Sequence, residues 1–283
     1  MRKVAIILGF VILLSATALS YHDYLWTYEW TGQNFWEKSI IANGHFTFYR
    51  ESVEEDADSV NDILFPVEAG FAFDKLWSVS AVIPIQKLGG IPEDSEISSF
   101  GISNIWMKGK FIPMLGPNIS LGPRIGIRLP VGTEGHKVDA LAVDAAGLIR
   151  LGYVEDFPMV ISAQAGLRYE LEKDNNKLPS YFYVLAEPGY KVNWRLTTYG
   201  VVGFAFPITK GKTAAPETPD GYTEYDGDNH MWFGGKATMK ISPSVTADGT
   251  FQYRIWEYPS EEGQPDMTKS WFFGAGITAN IGL

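Results

Sequence analysis

The sequence predicts an all-β chain that folds into a single transmembrane antiparallel β-barrel of about twelve strands. Three observations predict this fold: apolar residues recur at every second position, connections alternate between short and long, and the chain begins with a secretory pattern. A period of two is the repeat of an extended strand, in which successive side chains point to opposite faces. Short turns on one side with long loops on the other are typical of outer-membrane barrels.

The first 20 residues predict a secretory signal peptide. Arg2 and Lys3 precede an apolar run over residues 4–14, and small residues over 15–20 offer a cleavage site. The run is shorter than the roughly 20 residues that a membrane-spanning helix requires. An aromatic-rich N-terminal extension follows over residues 21–38. It fits an extra amphipathic strand or a periplasmic extension packed under the barrel, and alternatively a plug or part of a ligand path.

The barrel itself is expected over residues 39–283, where twelve segments show the alternation. Each is about as long as a tilted membrane strand, roughly 9–11 residues or a little more. The segments are 39–50, 63–74, 76–86, 100–112, 119–130, 141–154, 159–170, 181–191, 196–208, 230–242, 245–256 and 270–283.

The connections between these segments separate a barrel from a soluble sandwich. A Greek-key sandwich gives no reason for a regular alternation of short and long connections. An even number of strands also places both ends of the barrel on the periplasmic side. The short connections are 74–75, 113–118, 155–158, 192–195 and 242–244, and the long ones are 51–62, 87–99, 131–140, 171–180, 209–229 and 257–269. Pro123 and Pro188 fall inside predicted strands, where we expect bulges or shifted boundaries.

Charged side chains within the predicted strands fall almost entirely in the set that alternates with the apolar set. In a membrane barrel the apolar set faces lipid and the charged set faces the lumen. In the hairpin 141–170 we therefore expect Ile149 and Ile161 at lipid and Arg150 and Arg168 inside. The candidate inward-facing residues are Glu68, Lys108, Lys110, Arg124, Arg128, Asp144, Arg150, Arg168, Glu187, Lys236, Lys240, Asp248 and Arg254. Aromatic residues near strand ends fit interfacial girdles, namely Phe111, Tyr153, Tyr169 and Trp271.

Four of the inward arginines lie on three consecutive strands: Arg124, Arg128, Arg150 and Arg168, with Asp144 among them. A buried charge must be paired or hydrated. One interpretation is a network of ion pairs that fills and stiffens the barrel. The other is a positively lined constriction that attracts anionic solutes. The two interpretations are compatible.

Composition and motifs limit the possible functions. The chain has 23 Lys and Arg against 33 Asp and Glu, which argues against nucleic acid as a partner. It has no cysteine and therefore no disulfide or thiol nucleophile. The sequence contains no G-x-S-x-G or H-E-x-x-H motif, so we expect neither an enzyme nor a cofactor. A barrel enzyme acting on lipid through His45 or His230 is kept as an alternative.

Two acidic segments in the predicted loops have simple interpretations as solvated loops. The segment 51–62 carries six acidic residues and no basic one, and could also bridge to lipopolysaccharide through divalent cations. Asp226, Asp228 and Asn229 stand close together and could bind Ca²⁺, but no glutamate follows at the spacing of an EF-hand loop.

Two stretches carry a resemblance to known proteins. The segments "FGISNIWMKGKFIP" (100–113) and "SLGPRIGIRLPVG" (120–132) resemble the outer-membrane proteins named after the phenol-degradation meta-pathway. The matching positions are Gly101, Asn104, Lys108, Lys110, Phe111, Leu129, Pro130 and Gly132, with Asn104 where aspartate is more usual. The resemblance implies a transporter-like barrel that passes small, often hydrophobic or aromatic compounds. The last segment, 270–283, resembles the C-terminal signal read by the bacterial barrel-assembly machinery, although it ends in Leu283 rather than an aromatic residue.

The sequence as a whole predicts a Gram-negative outer-membrane barrel that passes or takes up a small solute, hydrophobic, aromatic or anionic. Its expected partners are outer-membrane lipid, lipopolysaccharide, the assembly machinery and the solute. A closed structural or surface-interaction barrel and a soluble periplasmic β-protein are the further alternatives.

Overall fold

In a computed structural model of the chain, the described residues are 39–52, 60–73, 76–89, 99–116, 119–134, 136–152, 158–215, 221–258 and 266–282. The predicted signal peptide, the aromatic-rich extension, most of the acidic segment 51–62 and Tyr153 lie outside these ranges. None of the described residues belongs to a helix that is long and apolar enough to cross a membrane.

The described chain forms sixteen β-strands. Their bounds are β1 (Ser39–Ser52), β2 (Val60–Ala72), β3 (Trp77–Lys87), β4 (Phe100–Ile102), β5 (Ile105–Phe111), β6 (Met114–Gly116), β7 (Ile119–Leu129), β8 (Ala142–Leu151), β9 (Met159–Glu170), β10 (Tyr181–Lys191), β11 (Leu196–Pro207), β12 (Gly211–Ala214), β13 (Tyr222–Tyr225), β14 (Asn229–Ser242), β15 (Val245–Tyr258) and β16 (Asp266–Gly282).

Fourteen of these strands, all except β12 and β13, build one closed antiparallel barrel. Strand β1 pairs with β2 on one side and with β16 on the other, so the first and last strands close the sheet. The wall has twelve positions, because β4, β5 and β6 together occupy one position between β3 and β7. The predicted fold class is confirmed. Strands β9 and β10 also have the bounds predicted from the sequence.

Two local features differ from the predicted strands. The segment 100–112 is interrupted between β4 and β5, where the successive residues Ser103 and Asn104 are both buried. The partner pairs on β3 shift by one residue across this point, which is the signature of a β-bulge. In addition, the long connection after β11 contains the separate hairpin β12–β13, which alternation alone did not reveal.

The two strand prolines need no register shift, contrary to the expectation of bulges or moved boundaries. Pro188 pairs with Ile161 on β9, and the β10–β11 ladder omits its pairs there but keeps the same register on both sides. Pro123 pairs with Gly147 on β8, whereas the β5–β7 pairing stops at Arg124 and does not include Pro123. A missing N–H thus removes a local pair without displacing the strand.

The inner and outer faces follow the alternation. Along β7, buried and exposed residues alternate: Arg124 is 0% exposed and Ile125 is 56% exposed. In the hairpin of β8 and β9, Ile161 faces outward and Arg168 is buried, as predicted. The outer face is covered with large apolar side chains, including those of β3, β7 and β16. Such a continuous apolar exterior around a polar interior is the arrangement of a barrel in lipid.

Small residues on the inner face let long side chains meet above the intervening strands. Arg124, Ala146, Gly166 and Tyr183 are opposite one another on the four consecutive strands β7 to β10. A Cβ atom on Gly166 would lie 2.6 Å from Tyr183 Oη, so only glycine allows this ring to cross β9. Residue size on β8 and β9 therefore decides which interior groups can make contact.

We predict that Gly166→Val destabilises the barrel by roughly 1–3 kcal/mol, the usual cost of overpacking a buried site. The measurement is the free energy of unfolding in urea, followed by tryptophan fluorescence in lipid vesicles. Gly147→Val is the matched control, because Gly147 is on the outer face of the neighbouring strand, where a Cβ atom would meet no other atom within 4 Å. Equal losses in the two variants would show that the close approach at Gly166 is unimportant.

Candidate functional site

The candidate site is the charged interior of the barrel. It is formed by the residues that the sequence predicted to face inward. Ten of them are buried on the inner face: Lys108, Lys110, Arg124, Arg128, Asp144, Arg168, Glu187, Lys236, Asp248 and Arg254. Glu68 is buried with them, Arg150 is partly buried, and Lys240 is exposed near the end of β14. A role for these residues in solute passage stays a prediction.

Asp144 on β8 is the centre of the largest charged network. Arg124 donates a hydrogen bond from Nη2 to Asp144 Oδ1, and Arg168 Nη2 lies 3.5 Å from Asp144 Oδ2. Tyr183 donates its hydroxyl to Asp144 Oδ1 at 2.8 Å. Arg124 also donates to Tyr183 Oη and, at 3.0 Å, to Gln164 Oε1. One carboxylate thus joins groups from β7, β9 and β10.

A second pair lies one row nearer the long-loop end of the same wall. The Arg128 guanidinium makes two hydrogen bonds to the Glu170 carboxylate, of 3.2 and 2.5 Å. The residue between them on β8 is Ala142, which is small enough for the pair to meet across it. Trp106 on β5 receives both neighbouring guanidinium groups, with Arg168 at 5.0 Å and Arg128 at 5.9 Å from its ring centroid.

Further pairs continue the network around the barrel. Lys108 Nζ lies 3.0 Å from Glu68 Oε1, to which Ser80 also donates a hydrogen bond of 2.6 Å. On the other side, Lys236 Nζ lies 3.1 Å from Glu187 Oε1. Because both partners of each pair are buried, their charges are compensated locally rather than by water. Of the two interpretations of the arginines, the one that this geometry displays is the network of interior ion pairs.

The two candidate histidines, His45 and His230, are buried within the barrel. His45 Nε2 on β1 forms a buried hydrogen bond with Asp248 Oδ2 on β15, and the ring lies over Gly276 of the intervening strand β16. His230 on β14 is buried 5.5 Å from the Tyr181 ring, centroid to centroid. Neither His45 nor His230 is at the lipid-facing surface.

Two long connections are tied together above strands β9 to β14. The backbone of Lys177 exchanges two hydrogen bonds with that of Lys212 in β12, at 3.0 and 2.7 Å. Lys212 Nζ also lies 2.9 Å from Glu172 Oε2.

The described acidic residues just before β14 do not form a metal site. Burial raises the pKa of the Asp228 carboxyl to about 7, although Arg254 opposes the shift. Asp226 Oδ1 lies 3.5 Å from Lys210 Nζ. Among the described residues, no group of three or more histidine, aspartate or glutamate side chains is placed to hold a metal ion.

Several partners in this interior were missed by the sequence analysis. Glu170, Gln164 and Tyr183 complete the arginine network, and Ser80 completes the Glu68 pair. Glu170 is on β9, one strand beyond Ala142 from Arg128, so finding it requires the registers of both β7–β8 and β8–β9. Tyr183 was missed because its contact with Arg124 crosses two intervening strands, β8 and β9.

We predict that Asp144→Asn destabilises the protein by roughly 3–5 kcal/mol, because two buried guanidinium groups lose their shared carboxylate. The free energy of unfolding in urea is the measurement. Glu172→Gln is the control, since it removes a carboxylate from an exposed ion pair, which contributes little. If both variants unfold at the wild-type urea concentration, the interior network does not stabilise the barrel.

Comparison with known proteins gives a likeness of fold. No family model matches the sequence, and no curated protein sequence matches it. Among solved structures, the crystal structure of an outer membrane channel from Pseudomonas putida F1 aligns with a TM-score of 0.58 at 9% identity. The alignment covers 86% of this chain and 95% of that one.

Two looser alignments also involve channels. A structure described as the CymD monoaromatic hydrocarbon channel aligns with a TM-score of 0.49 at 9% identity, over 96% of this chain and 92% of that one. The KdgM porin aligns with a TM-score of 0.48 at 5% identity, over 84% and 98%. The resemblance to the phenol-degradation family rests on the motif residues alone and stays a prediction. The chain shares the fold of an outer membrane channel.

Proposed function

We propose that this protein is an outer-membrane β-barrel that lets a small solute cross the membrane by passive passage, without catalysis. The observation that carries the proposal is a closed barrel whose outer face is apolar and whose inner face is polar and charged. A wall of this kind places a polar path within an apolar membrane. The fold likeness to an outer membrane channel supports the same conclusion.

The charges of the inner face bear on which solutes pass. Among the described residues, seven lysines and arginines are buried against six aspartates and glutamates. Arg150 adds a further, partly buried positive charge on the inner face of β8. Since an excess of one sign lowers the energy of the opposite ion in a narrow, low-dielectric pore, we propose a preference for anions.

Aromatic solutes are the second part of this proposal. The resemblance to the phenol-degradation family implies passage of hydrophobic or aromatic compounds. In the structure, Trp106 and Tyr183 border the arginine network, and each presents a ring to a guanidinium group. Both rings are buried, so the aromatic part of the proposal is carried by the resemblance. Lipopolysaccharide and the assembly machinery are proposed partners by virtue of the membrane location.

A closed structural barrel is the alternative function, and one observation favours it. Arg124 and Asp144 are 0% exposed, and Arg168 is 2% exposed, so this part of the wall is inaccessible to water. A packed interior strengthens the barrel but conducts nothing. Recording from the inserted protein separates the two functions.

We predict steady single-channel openings of the detergent-folded protein in a planar bilayer, with anion selectivity in a salt gradient. The double variant Lys110→Gln with Arg150→Gln should shift the reversal potential towards cations, because it removes two positive charges from the inner face. Lys173→Gln, in an exposed loop, is the control and should leave the potential unchanged. Silence from protein whose insertion is verified would favour the structural barrel.

A further inference from the structure

We propose that the outer face of β1 to β3, at its long-loop end, binds the phosphate groups of lipopolysaccharide through Arg50 and Lys87. This inference rests on the outer-membrane location in the proposed function and gives one of the partners named there a site. It does not require that the barrel conducts. Long loops of outer-membrane barrels are extracellular, so this end of the wall lies in the outer leaflet.

Arg50 on β1 stands where the apolar band of the outer face ends. The alternation of β1 puts Ile40 and Phe46 on the outer face, and the exposed Arg50 belongs to the same set. A rise of 3.4 Å per residue and a strand tilt of 40° put Arg50 about 26 Å above Ile40. The apolar band of such barrels is about 25 Å tall, so Arg50 is at the level of the lipid headgroups.

Lys87 on β3 has the same height by the same reasoning. The outer face of β3 begins at the exposed Trp77 and continues through Val79 and Ile83 to the exposed Lys87. Trp77 is ten residues before Lys87, as Ile40 is before Arg50. Two strands of the same wall therefore each end their apolar face with a basic residue at one level.

The register places the two cations close enough to share one headgroup. Arg50 is opposite the exposed Asn61 on β2, and Lys87 is opposite Ile63, the next outer residue of β2. A strand spacing of 4.8 Å and this two-residue offset put the Cα atoms of Arg50 and Lys87 roughly 12 Å apart. Their long side chains can reach one phosphate from two sides, or two phosphates of one lipid.

Aromatic rings mark the membrane interface directly below Arg50. Trp271 on β16 is opposite Arg50, and its ring centroid lies 5.7 Å from that of Phe48, the preceding outer residue of β1. Tryptophan is enriched where lipid tails meet headgroups. The guanidinium group thus lies just beyond the tails, at the depth where phosphate groups begin.

Other strands have no basic residue at this level of their outer face. At the long-loop ends of β9, β10 and β11 the exposed outer residues are Tyr169, Phe182 and Phe206. The basic pair is therefore confined to one side of the barrel, where it can hold an individual headgroup. A guanidinium group makes two parallel hydrogen bonds to phosphate, and an ammonium group adds a point charge.

Binding of lipid A, the phosphorylated anchor of lipopolysaccharide, tests the site. The full chain, folded in detergent, is titrated with diphosphorylated lipid A in EDTA, and bound lipid is measured by native mass spectrometry. The double variant Arg50→Gln with Lys87→Gln should bind at least roughly tenfold more weakly, because each basic residue at a membrane surface adds electrostatic attraction. Arg50→Lys with Lys87→Arg keeps both charges and should stay within roughly threefold of the wild type.

Two controls separate the site from general attraction between charges. Lys173→Gln with Lys210→Gln removes the same charge from exposed connections elsewhere and should leave the affinity unchanged. Dephosphorylated lipid A should bind the wild type only as weakly as diphosphorylated lipid A binds the double glutamine variant. Folding of every variant is verified by its heat-dependent migration in gels.

Three results would overturn the site. They are equal affinities of the wild type and the double glutamine variant, equal binding of dephosphorylated lipid A, and binding that requires Mg²⁺ and ignores the variants. The last result would assign the lipid to the acidic segment 51–62 through divalent cations. A silent barrel that binds lipid A through Arg50 and Lys87 overturns passage and leaves this inference standing, whereas a conducting barrel without such binding does the reverse.

Discussion

Asp144 accepts hydrogen bonds from Arg124 and Tyr183 and pairs with Arg168, in a part of the barrel that water does not reach. An unpaired charge in such a place would cost several kcal/mol, so each guanidinium group requires a carboxylate within reach. The same requirement explains Arg128 with Glu170 and Lys108 with Glu68. Pairing of interior charges is therefore the constraint under which the inner face of this barrel is arranged.

This constraint acts through the register of the sheet. Closure of β1 onto β16 fixes which residues stand opposite one another, because a slip by one residue would turn the charged set towards lipid. Within the fixed register, small residues such as Ala142 and Gly166 set the distance over which partners meet. Strand closure, residue size and charge pairing are thus parts of one arrangement, and a change in any of them alters the others.

The sequence predicted the wall well and the contacts poorly, for a physical reason. Alternation of side chains is a local property of each strand, so it located β9 and β10 to the residue and assigned Arg124 and Arg168 to the inner face. The partner of a charge depends on the register of neighbouring strands, which no single segment contains. Glu170 and Tyr183 were missed for that reason, and the hairpin β12–β13 was missed because four-residue strands show too little alternation.

The two sides of the inner face are filled by different groups. The ion pairs are concentrated on β7 to β10, where the side chains bind one another. The inner face of β1, β15 and β16 also carries many neutral polar groups, including Thr47, Thr250, Gln252 and Thr278. These groups are 1–4% exposed, about as little as the paired arginines, so both sides of the interior are packed. Because burying a neutral hydroxyl or amide costs less than burying a charge, the pairing constraint falls mainly on β7 to β10, where a single substitution leaves a charge uncompensated.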